Sequence, residues 1–342
     1  MQPSALKKFV VVFCVTDLCD KRCPSCCTQA MRKGSVMDFI RYKQKLAQVA
    51  AHCQNNRTQP VIAFTGGESF LYLQRGPEGA RRTLADMVDS AVRIVPGAQI
   101  FIKTSGFQPN AYLDGLLEDV LTSTAEEKLR IRLGFSLHQK GGGEPRKRLT
   151  HMLRAVLSHR AKIDVDVIYD KRQMRPTLEV VSKALAEAGF STPLEAAWEA
   201  VLADPCVAQE RVFMAAGKTV VVATEPAYRP EGCNDLLEYF DEKIVGTCQA
   251  FYERPEGICY RPDFSIIHCN DSYVDFGIKA PAQESFETIA DEISFVRARF
   301  AALRPIMAQQ RTALATKRDA CKFCTNFVLG GDPREVSSCR RV

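Results

Sequence analysis

The sequence predicts an α/β fold in which a parallel β-sheet curves like a barrel and carries its helices on the outside. Three observations lead to this prediction. Strand and helix patterns alternate five times between residues 7 and 189. Three of the predicted strands are polar on one face only. The cysteine-rich and glycine-rich loops follow predicted strands, and parallel sheets place their active residues at that end of their strands.

The predicted strands are short, apolar or alternating, and the predicted helices repeat apolar residues at every third or fourth position. The strands span residues 7–15, 60–68, 98–106, 129–139 and 162–170. The helices span residues 37–53, 83–95, 111–121, 148–159 and 176–189, and a further helical pattern runs from Ile289 to Leu303. Because a helix follows each strand, we expect consecutive strands to lie parallel.

One face of three predicted strands is polar, whereas the strands of a sheet covered by helices on both faces are apolar throughout. The polar face comprises Lys103, Ser105, Arg132, Ser136, His138, Asp164 and Asp166. Buried charges need partners, which argues against a filled barrel core. The sequence therefore predicts a cavity or cleft lined by charged groups. Edge strands with one solvated face are the alternative.

The composition is that of an ordinary globular protein of 342 residues, with 46% hydrophobic residues and a formal net charge of +6. The positive charge is spread thinly, so nucleic-acid binding has no support. No apolar run approaches the roughly 20 residues that span a bilayer. The apolar run at residues 9–15 has no signal-peptide cleavage site after it. We expect a cytoplasmic protein whose partners include neither nucleic acid nor a membrane.

The 14 cysteines fall into two regions, separated by residues 54–205, which contain none. A reducing cytosol disfavours disulfides, so the clustering predicts two metal sites. The first region contains Cys19-x3-Cys23-x2-Cys26. Structural zinc prefers four ligands in two pairs, and a redox CxxC needs only two. Three thiolates in one short loop suit an iron–sulfur cluster with one iron left open.

This cysteine spacing after the first strand, with Gly66-Gly67-Glu68 after the second, resembles the signature of radical S-adenosylmethionine (radical SAM) enzymes. The resemblance covers residues 8–190 and implies a partial (β/α)6 TIM-like barrel. It implies that Cys19, Cys23 and Cys26 hold a [4Fe-4S] cluster, whose open iron chelates S-adenosylmethionine (AdoMet). An external donor such as flavodoxin or ferredoxin would reduce that cluster. Homolysis of AdoMet would then give a 5′-deoxyadenosyl radical, which removes a hydrogen atom from the substrate.

The same resemblance implies which further residues contact AdoMet. Gly66, Gly67 and Glu68 would meet the amino group of its methionine moiety. Polar residues at the ends of the middle strands help to hold AdoMet in this family. In this sequence the matching residues are Ser105, Ser136 and His138.

The second cysteine region has two interpretations. Two thiols from a hairpin and the pair Cys321-x2-Cys324 would make a four-thiolate zinc site. The hairpin at residues 248–269 also resembles that of the auxiliary-cluster domains called SPASM and twitch, although Phe264 stands at a glycine position of their pattern. This resemblance implies a radical SAM domain at residues 1–235 and a twitch-like domain at 236–342. The implied ligands of an auxiliary [4Fe-4S] cluster are Cys248, Cys269, Cys321 and Cys324, and Cys259 is the rival of Cys248.

The other cysteines and the single tryptophan are expected to be structural. Buried cysteine behaves as a small apolar residue, so we expect Cys14 and Cys53 in the core, together with Trp198. Cys206, Cys233 and Cys339 are given the same interpretation, and Cys27 is expected to take no part in the first cluster.

Two enzyme classes fit these features. The first oxidises a small polar metabolite or natural-product intermediate, with the auxiliary cluster as electron acceptor and Asp164, Asp166 and Arg132 at the substrate. The second modifies a ribosomal peptide, forming a thioether or a carbon–carbon crosslink. The first strand begins near residue 8, so we expect no peptide-recognition domain before the barrel, which favours the small molecule. A zinc-bound interaction module would leave Gly66-Gly67-Glu68 unexplained.

Overall fold

The structure is a computed structural model, which describes most of the first 226 residues and two shorter segments after them. The described residues are 6–21, 34–76, 79–123, 128–135, 144–159, 162–169, 174–190, 198–199, 202, 209–215, 217–226, 257–267, 286–295 and 297–298. Of the predicted site residues, Cys23, Cys26, Ser136, His138, Cys248, Cys269, Cys321 and Cys324 lie outside these ranges. Their roles stay predictions.

Strands and helices alternate over most of the described chain. The strands are β1 (Lys8–Thr16), β2 (Gln59–Gly66), β3 (Leu73–Arg75), β4 (Arg81–Thr83), β5 (Gln99–Thr104), β6 (Leu129–Phe135), β7 (Lys162–Tyr169), β8 (Gln209–Ala215), β9 (Lys218–Pro226), β10 (Gly257–Tyr260) and β11 (Ile266–Ile267). The helices are α1 (Phe39–Asn56), α2 (Leu84–Ile94), α3 (Ala111–Thr122), α4 (Pro145–Ser158) and α5 (Met174–Glu187). All five predicted strands and all five predicted helices correspond to observed elements.

A nine-stranded sheet forms the centre of the described part, in the order β11-β10-β1-β2-β5-β6-β7-β9-β8. The seven strands from β10 to β9 are parallel, whereas β11 and β8 are antiparallel at the two edges. The predicted mixed α/β fold with a mostly parallel sheet is confirmed. From β1 to β7 the strands follow chain order with one helix between neighbours. Right-handed crossovers in that order place their helices on one side of the sheet.

The core lies between the sheet and these helices. Helix α1 buries Phe39, Tyr42, Leu46, Val49 and Cys53, the face that its three- and four-residue spacing predicts. The helix begins after Asp38, whose side chain accepts a hydrogen bond of 2.8 Å from the Arg41 amide. Cys14 and Trp198 are buried as predicted, and the Trp198 indole donates to Ser182 Oγ at 2.7 Å.

Two strands within residues 257–267 extend this central sheet. Strand β10 pairs with β1 in parallel, with Val12 opposite Cys259 and Phe13 opposite Tyr260. Residues 289–295 are helical, as predicted for this stretch. The domain boundary at residue 235 stays a prediction, but residues 257–267 belong to the sheet that the first domain supplies. In the described ranges, no helix is both long and apolar enough to cross a membrane.

Candidate functional site

Two loops meet where strands β1 and β2 end. The Gly67 amide donates to the Thr16 carbonyl at 2.7 Å, and the Glu68 amide donates to the Leu18 carbonyl at 2.7 Å. A Cβ atom on Gly67 would lie 2.0 Å from the Leu18 oxygen, and Gly66 has a φ of +131°. Only glycine tolerates that close approach and that backbone conformation without strain. The two glycines therefore allow the segment that leads to Cys19 to lie against the Glu68 turn.

Cys19 is the only predicted ligand of the first cluster within the described residues. Its side chain is partly exposed, and the Lys21 amide donates to its Sγ at 3.4 Å. Burial raises the pKa of the Cys19 thiol to about 11, although the Lys21 amide acts in the opposite direction. At neutral pH the thiol is therefore protonated unless a metal ion displaces the proton. A partly exposed thiol beside a backbone donor fits a cluster ligand, because such hydrogen bonds tune cluster sulfurs.

The Glu68 side chain is only 2% exposed and is fixed by donors from the end of β5. Its Oε1 accepts from the Thr104 hydroxyl at 2.6 Å. Its Oε2 accepts from the Ser105 hydroxyl at 2.7 Å and from the Ser105 amide at 3.0 Å. Ser105 was predicted to contact AdoMet directly, and in the structure both of its polar groups bind Glu68. Thr104 was missed because its position on the apolar face of the strand predicts a packing role.

Lys21 is a further charged residue at this site, and the sequence pattern gave no reason to select it. Its side chain is 1% exposed, although it lies in the loop between Cys19 and Cys23. Its Nζ lies 2.6 Å from Asp20 Oδ1 and 3.7 Å from Glu68 Oε2. The Glu68 carboxylate thus has a lysine ammonium nearby, beyond hydrogen-bond distance.

The polar face of strands β6 and β7 carries two ion pairs, which we call the charged ladder. Arg130 lies 3.1 Å from Asp164, and Arg132 lies 2.8 Å from Asp166. Both aspartates are buried, whereas both arginines are partly exposed. Solvent therefore reaches this face of the sheet at the two guanidinium groups. Burial alternates along β6 as predicted, whereas residues 163–167 of β7 are all buried, with the two aspartates held in ion pairs. Arg130 was not selected from the sequence, although it reaches Asp164 by the same diagonal step across the strand register that joins Arg132 to Asp166.

Asp164 of the charged ladder is buried among other charged groups. Burial raises the pKa of Asp164, and the guanidinium groups of Arg130 and Arg132 partly oppose the effect. Lys103 stands opposite Arg132 in the sheet register and is exposed. This face therefore brings together Lys103, Arg132 and Asp166, as the sequence predicted, and the chemistry available there is hydrogen bonding to polar groups and transfer of a proton.

Cys259 lies in strand β10, where it is buried and packs against Cys14 of the neighbouring strand. It was the rival of Cys248 as a ligand of the auxiliary cluster. The choice between them stays a prediction, because Cys248 lies outside the described residues. Among the residues that are described, no three side chains of His, Cys, Asp or Glu are grouped so that they could hold a metal ion.

Comparison with known proteins gives weak structural similarity only. No protein-family model and no curated protein sequence matches the chain. A structure of a histidine-tagged protein, "anSMEcpe with bound AdoMet", is 11% identical over 69% of this chain and 60% of that one, with a TM-score of 0.42. A structure described as "BtrN in complex with AdoMet and 2-DOIA" is 16% identical over 47% of this chain and 56% of that one, with a TM-score of 0.32. This chain thus spans less than two thirds of either protein. Similarity at this level carries no argument about function.

Proposed function

We propose that the chain is a radical SAM enzyme, which binds a [4Fe-4S] cluster through Cys19, Cys23 and Cys26 and cleaves AdoMet reductively. The observation that carries the proposal is the Glu68 carboxylate. It is buried and held by Thr104 and Ser105, and it lies beside the loop that contains Cys19. A carboxylate fixed in this way is preorganised to bind an ammonium group, and AdoMet carries one on its methionine moiety.

The chain's own residues would bind and orient AdoMet. Gly66 and Gly67 bring the cysteine loop against Glu68, so a ligand between them would meet both at once. Thr104 and Ser105 act as positioning residues, because they hold the carboxylate that would receive the ammonium group. When bound, the cluster would supply the electron that splits the AdoMet sulfonium and generates the 5′-deoxyadenosyl radical.

We further propose that the substrate is a small polar molecule, which binds on the charged ladder. The partly exposed guanidinium of Arg132 would donate to its hydroxyl groups, and Asp166 would keep that guanidinium in place. Asp164, whose pKa is raised by burial, is suited to accept a proton. With an auxiliary [4Fe-4S] cluster on Cys248, Cys269, Cys321 and Cys324 as electron acceptor, the net reaction would be an oxidation. Flavodoxin or ferredoxin would be a suitable electron donor.

Anaerobic reconstitution with iron and sulfide tests the proposal. We expect about eight irons per chain, as two cubane clusters require, and formation of 5′-deoxyadenosine from AdoMet under reducing conditions. The Cys23→Ala variant should lose about four irons and all cleavage. Cys27→Ala is the matched control, since it removes a thiol from the same loop and should change neither quantity. Full cleavage by Cys23→Ala would show that the first cluster is assigned wrongly. A chain with about four irons and bound zinc would contradict the auxiliary cluster alone.

A further inference from the structure

The Glu68 site contains a cation of the protein itself. A buried ammonium is costly unless it is paired, and the Lys21 side chain is 1% exposed. Its pairing is divided between Asp20, whose Oδ1 lies 2.6 Å away, and Glu68, whose Oε2 lies 3.7 Å away. Lys21 is therefore held beside Glu68 by Asp20, and not by a hydrogen bond to Glu68 itself.

The Glu68 carboxylate would bind a cation at hydrogen-bond distance more strongly than it binds Lys21 at 3.7 Å. Its oxygens already accept from Thr104 and Ser105, all at hydrogen-bond distance, and these are neutral donors. The ammonium of Lys21 lies about 1 Å beyond the usual length of a charge-assisted contact. A ligand ammonium that came within hydrogen-bond distance of Oε2 would therefore have to compete with Lys21 for the same carboxylate.

We propose that Lys21 is an internal competitor for the AdoMet ammonium group. In the chain without AdoMet its Nζ neutralises Glu68, and on binding the α-ammonium of AdoMet replaces it, while Lys21 stays with Asp20, whose side chain is 40% exposed. The inference rests on the proposed function. It adds that AdoMet entry is coupled to displacement of the Lys21 ammonium from Glu68.

The competition predicts the direction in which AdoMet affinity changes when Lys21 is replaced. Removing the Lys21 ammonium takes from the Glu68 carboxylate the cation that the described part of the chain places beside it, so a ligand ammonium gains more on binding. AdoMet affinity should therefore rise. If Lys21 instead bound the AdoMet carboxylate, the same substitution would weaken binding.

The test is isothermal titration calorimetry on the reconstituted, unreduced protein under anaerobic conditions, where AdoMet binds without being cleaved. Lys21→Met should lower the Kd for AdoMet about tenfold, the effect of one charge-assisted contact. Lys21→Gln should act in the same direction and provides a second neutral variant if the first does not fold. Lys43→Met removes an exposed lysine charge away from the site and should leave the Kd unchanged.

A second ligand shows whether the effect arises at the ammonium group. 5′-Methylthioadenosine lacks the amino acid moiety, so Lys21→Met should leave its Kd within about twofold of the wild type, well below the tenfold worth of a charged contact. Iron content, measured on each variant, shows that the cluster loop is intact. An unchanged or higher Kd for AdoMet in both Lys21 variants overturns the inference. If the wild type itself binds no AdoMet, the proposed function falls, and the inference with it.

Discussion

Glu68 and Glu292 are both buried carboxylates beside a lysine, yet their surroundings differ. Glu292 lies 2.5 Å from Lys45 Nζ and also accepts a hydrogen bond from the Tyr260 hydroxyl. Burial, followed by the nearby Glu292 charge, raises the pKa of Tyr260 well above its usual value, so its hydroxyl stays a donor. Glu68 accepts hydrogen bonds from neutral donors, and the Nζ of Lys21 lies 3.7 Å from its Oε2.

The comparison shows that burial and charge do not by themselves identify a ligand site. Glu292 joins three separate elements, because Lys45 belongs to α1, Tyr260 to β10 and Glu292 to the helix at residues 289–295. Its two carboxylate oxygens contact Lys45 and Tyr260. These contacts hold residues 286–295, which we call the C-terminal segment, against the sheet. Glu68 lies at the carboxyl ends of parallel strands, with a cation that a ligand could replace. We therefore expect substitutions at Glu292 to change stability and substitutions at Glu68 to change binding.

The largest effect on stability is expected for Glu292→Gln. The substitution leaves the Lys45 ammonium, whose side chain is 11% exposed, without its charged partner. Breaking a buried pair on one side costs about 3 kcal/mol. Chemical denaturation of the cluster-loaded protein under anaerobic conditions would measure this as a lower midpoint at an unchanged slope. The Kd for AdoMet in the folded fraction should stay within about twofold of the wild type, a smaller change than the loss of one hydrogen bond to AdoMet would cause.

A double variant separates the loss of the pair from the loss of packing. Removing the Lys45 ammonium as well leaves no uncompensated charge, and an amide at position 292 still accepts from the Tyr260 hydroxyl, so Lys45→Met with Glu292→Gln should be less destabilised than Glu292→Gln alone by about 1 kcal/mol or more. If the single and double variants were equally unstable, the ion pair would not be the cause.

A smaller effect on stability is expected for Glu68→Gln, with a large effect on the ligand. The amide can still accept from the Thr104 hydroxyl and the Ser105 hydroxyl can rotate to accept, but the Ser105 amide then faces an NH2 group. One unsatisfied backbone donor costs about 1 to 2 kcal/mol. Affinity for AdoMet should fall about tenfold or more as the charged contact is lost.

The matched control for Glu68→Gln is Glu118→Gln, because Glu118 is an exposed acid on α3 that pairs with His159. It should leave both stability and AdoMet affinity nearly unchanged, since exposed pairs contribute about 1 kcal/mol or less. Unchanged AdoMet affinity in Glu68→Gln would remove the distinction between the two carboxylates.

Much of the fold could be predicted from the sequence, because periodicity reports which side of an element is buried. The spacing in α1 predicted its buried face, and the alternation in β6 and β7 predicted the face that carries Arg132 and Asp166. The place of β10 could not be predicted, since four buried residues have no period and their partner strand β1 lies far away along the chain. Its pairing is set by the tertiary structure.

The candidate site shows the same limit. The loop cysteines and Gly66-Gly67-Glu68 stand out as local motifs, so the sequence alone could select Cys19 and Glu68. Lys21 could not be selected, because its contact with Glu68 depends on how two loops cross at the ends of β1 and β2. Local patterns locate the loops, but they do not show which charges meet between them.

The smallest effect tests whether the surroundings of Glu292 are purely structural. Phe264 follows β10 in the hairpin to β11 and has a φ of +69°, which an L side chain adopts only at a cost. Its ring lies 4.6 Å from the Arg41 guanidinium and 6.4 Å from the ring of Tyr260, the hydroxyl partner of Glu292. The packing of this ring thus offsets strain at the position where the sequence resemblance expected glycine.

Two variants separate strain from packing at this turn. Phe264→Ala removes the ring and keeps the strain, whereas Phe264→Gly removes both, so the glycine variant should be more stable than the alanine variant by about 1 kcal/mol. Both should be less stable than the wild type, because the contact with Arg41 is lost. The same denaturation experiment measures the difference, and 5′-deoxyadenosine formation should be equal in all three proteins. An alanine variant as stable as the glycine variant would contradict the left-handed turn. Reduced AdoMet cleavage in both would show that this region does more than hold the C-terminal segment in place.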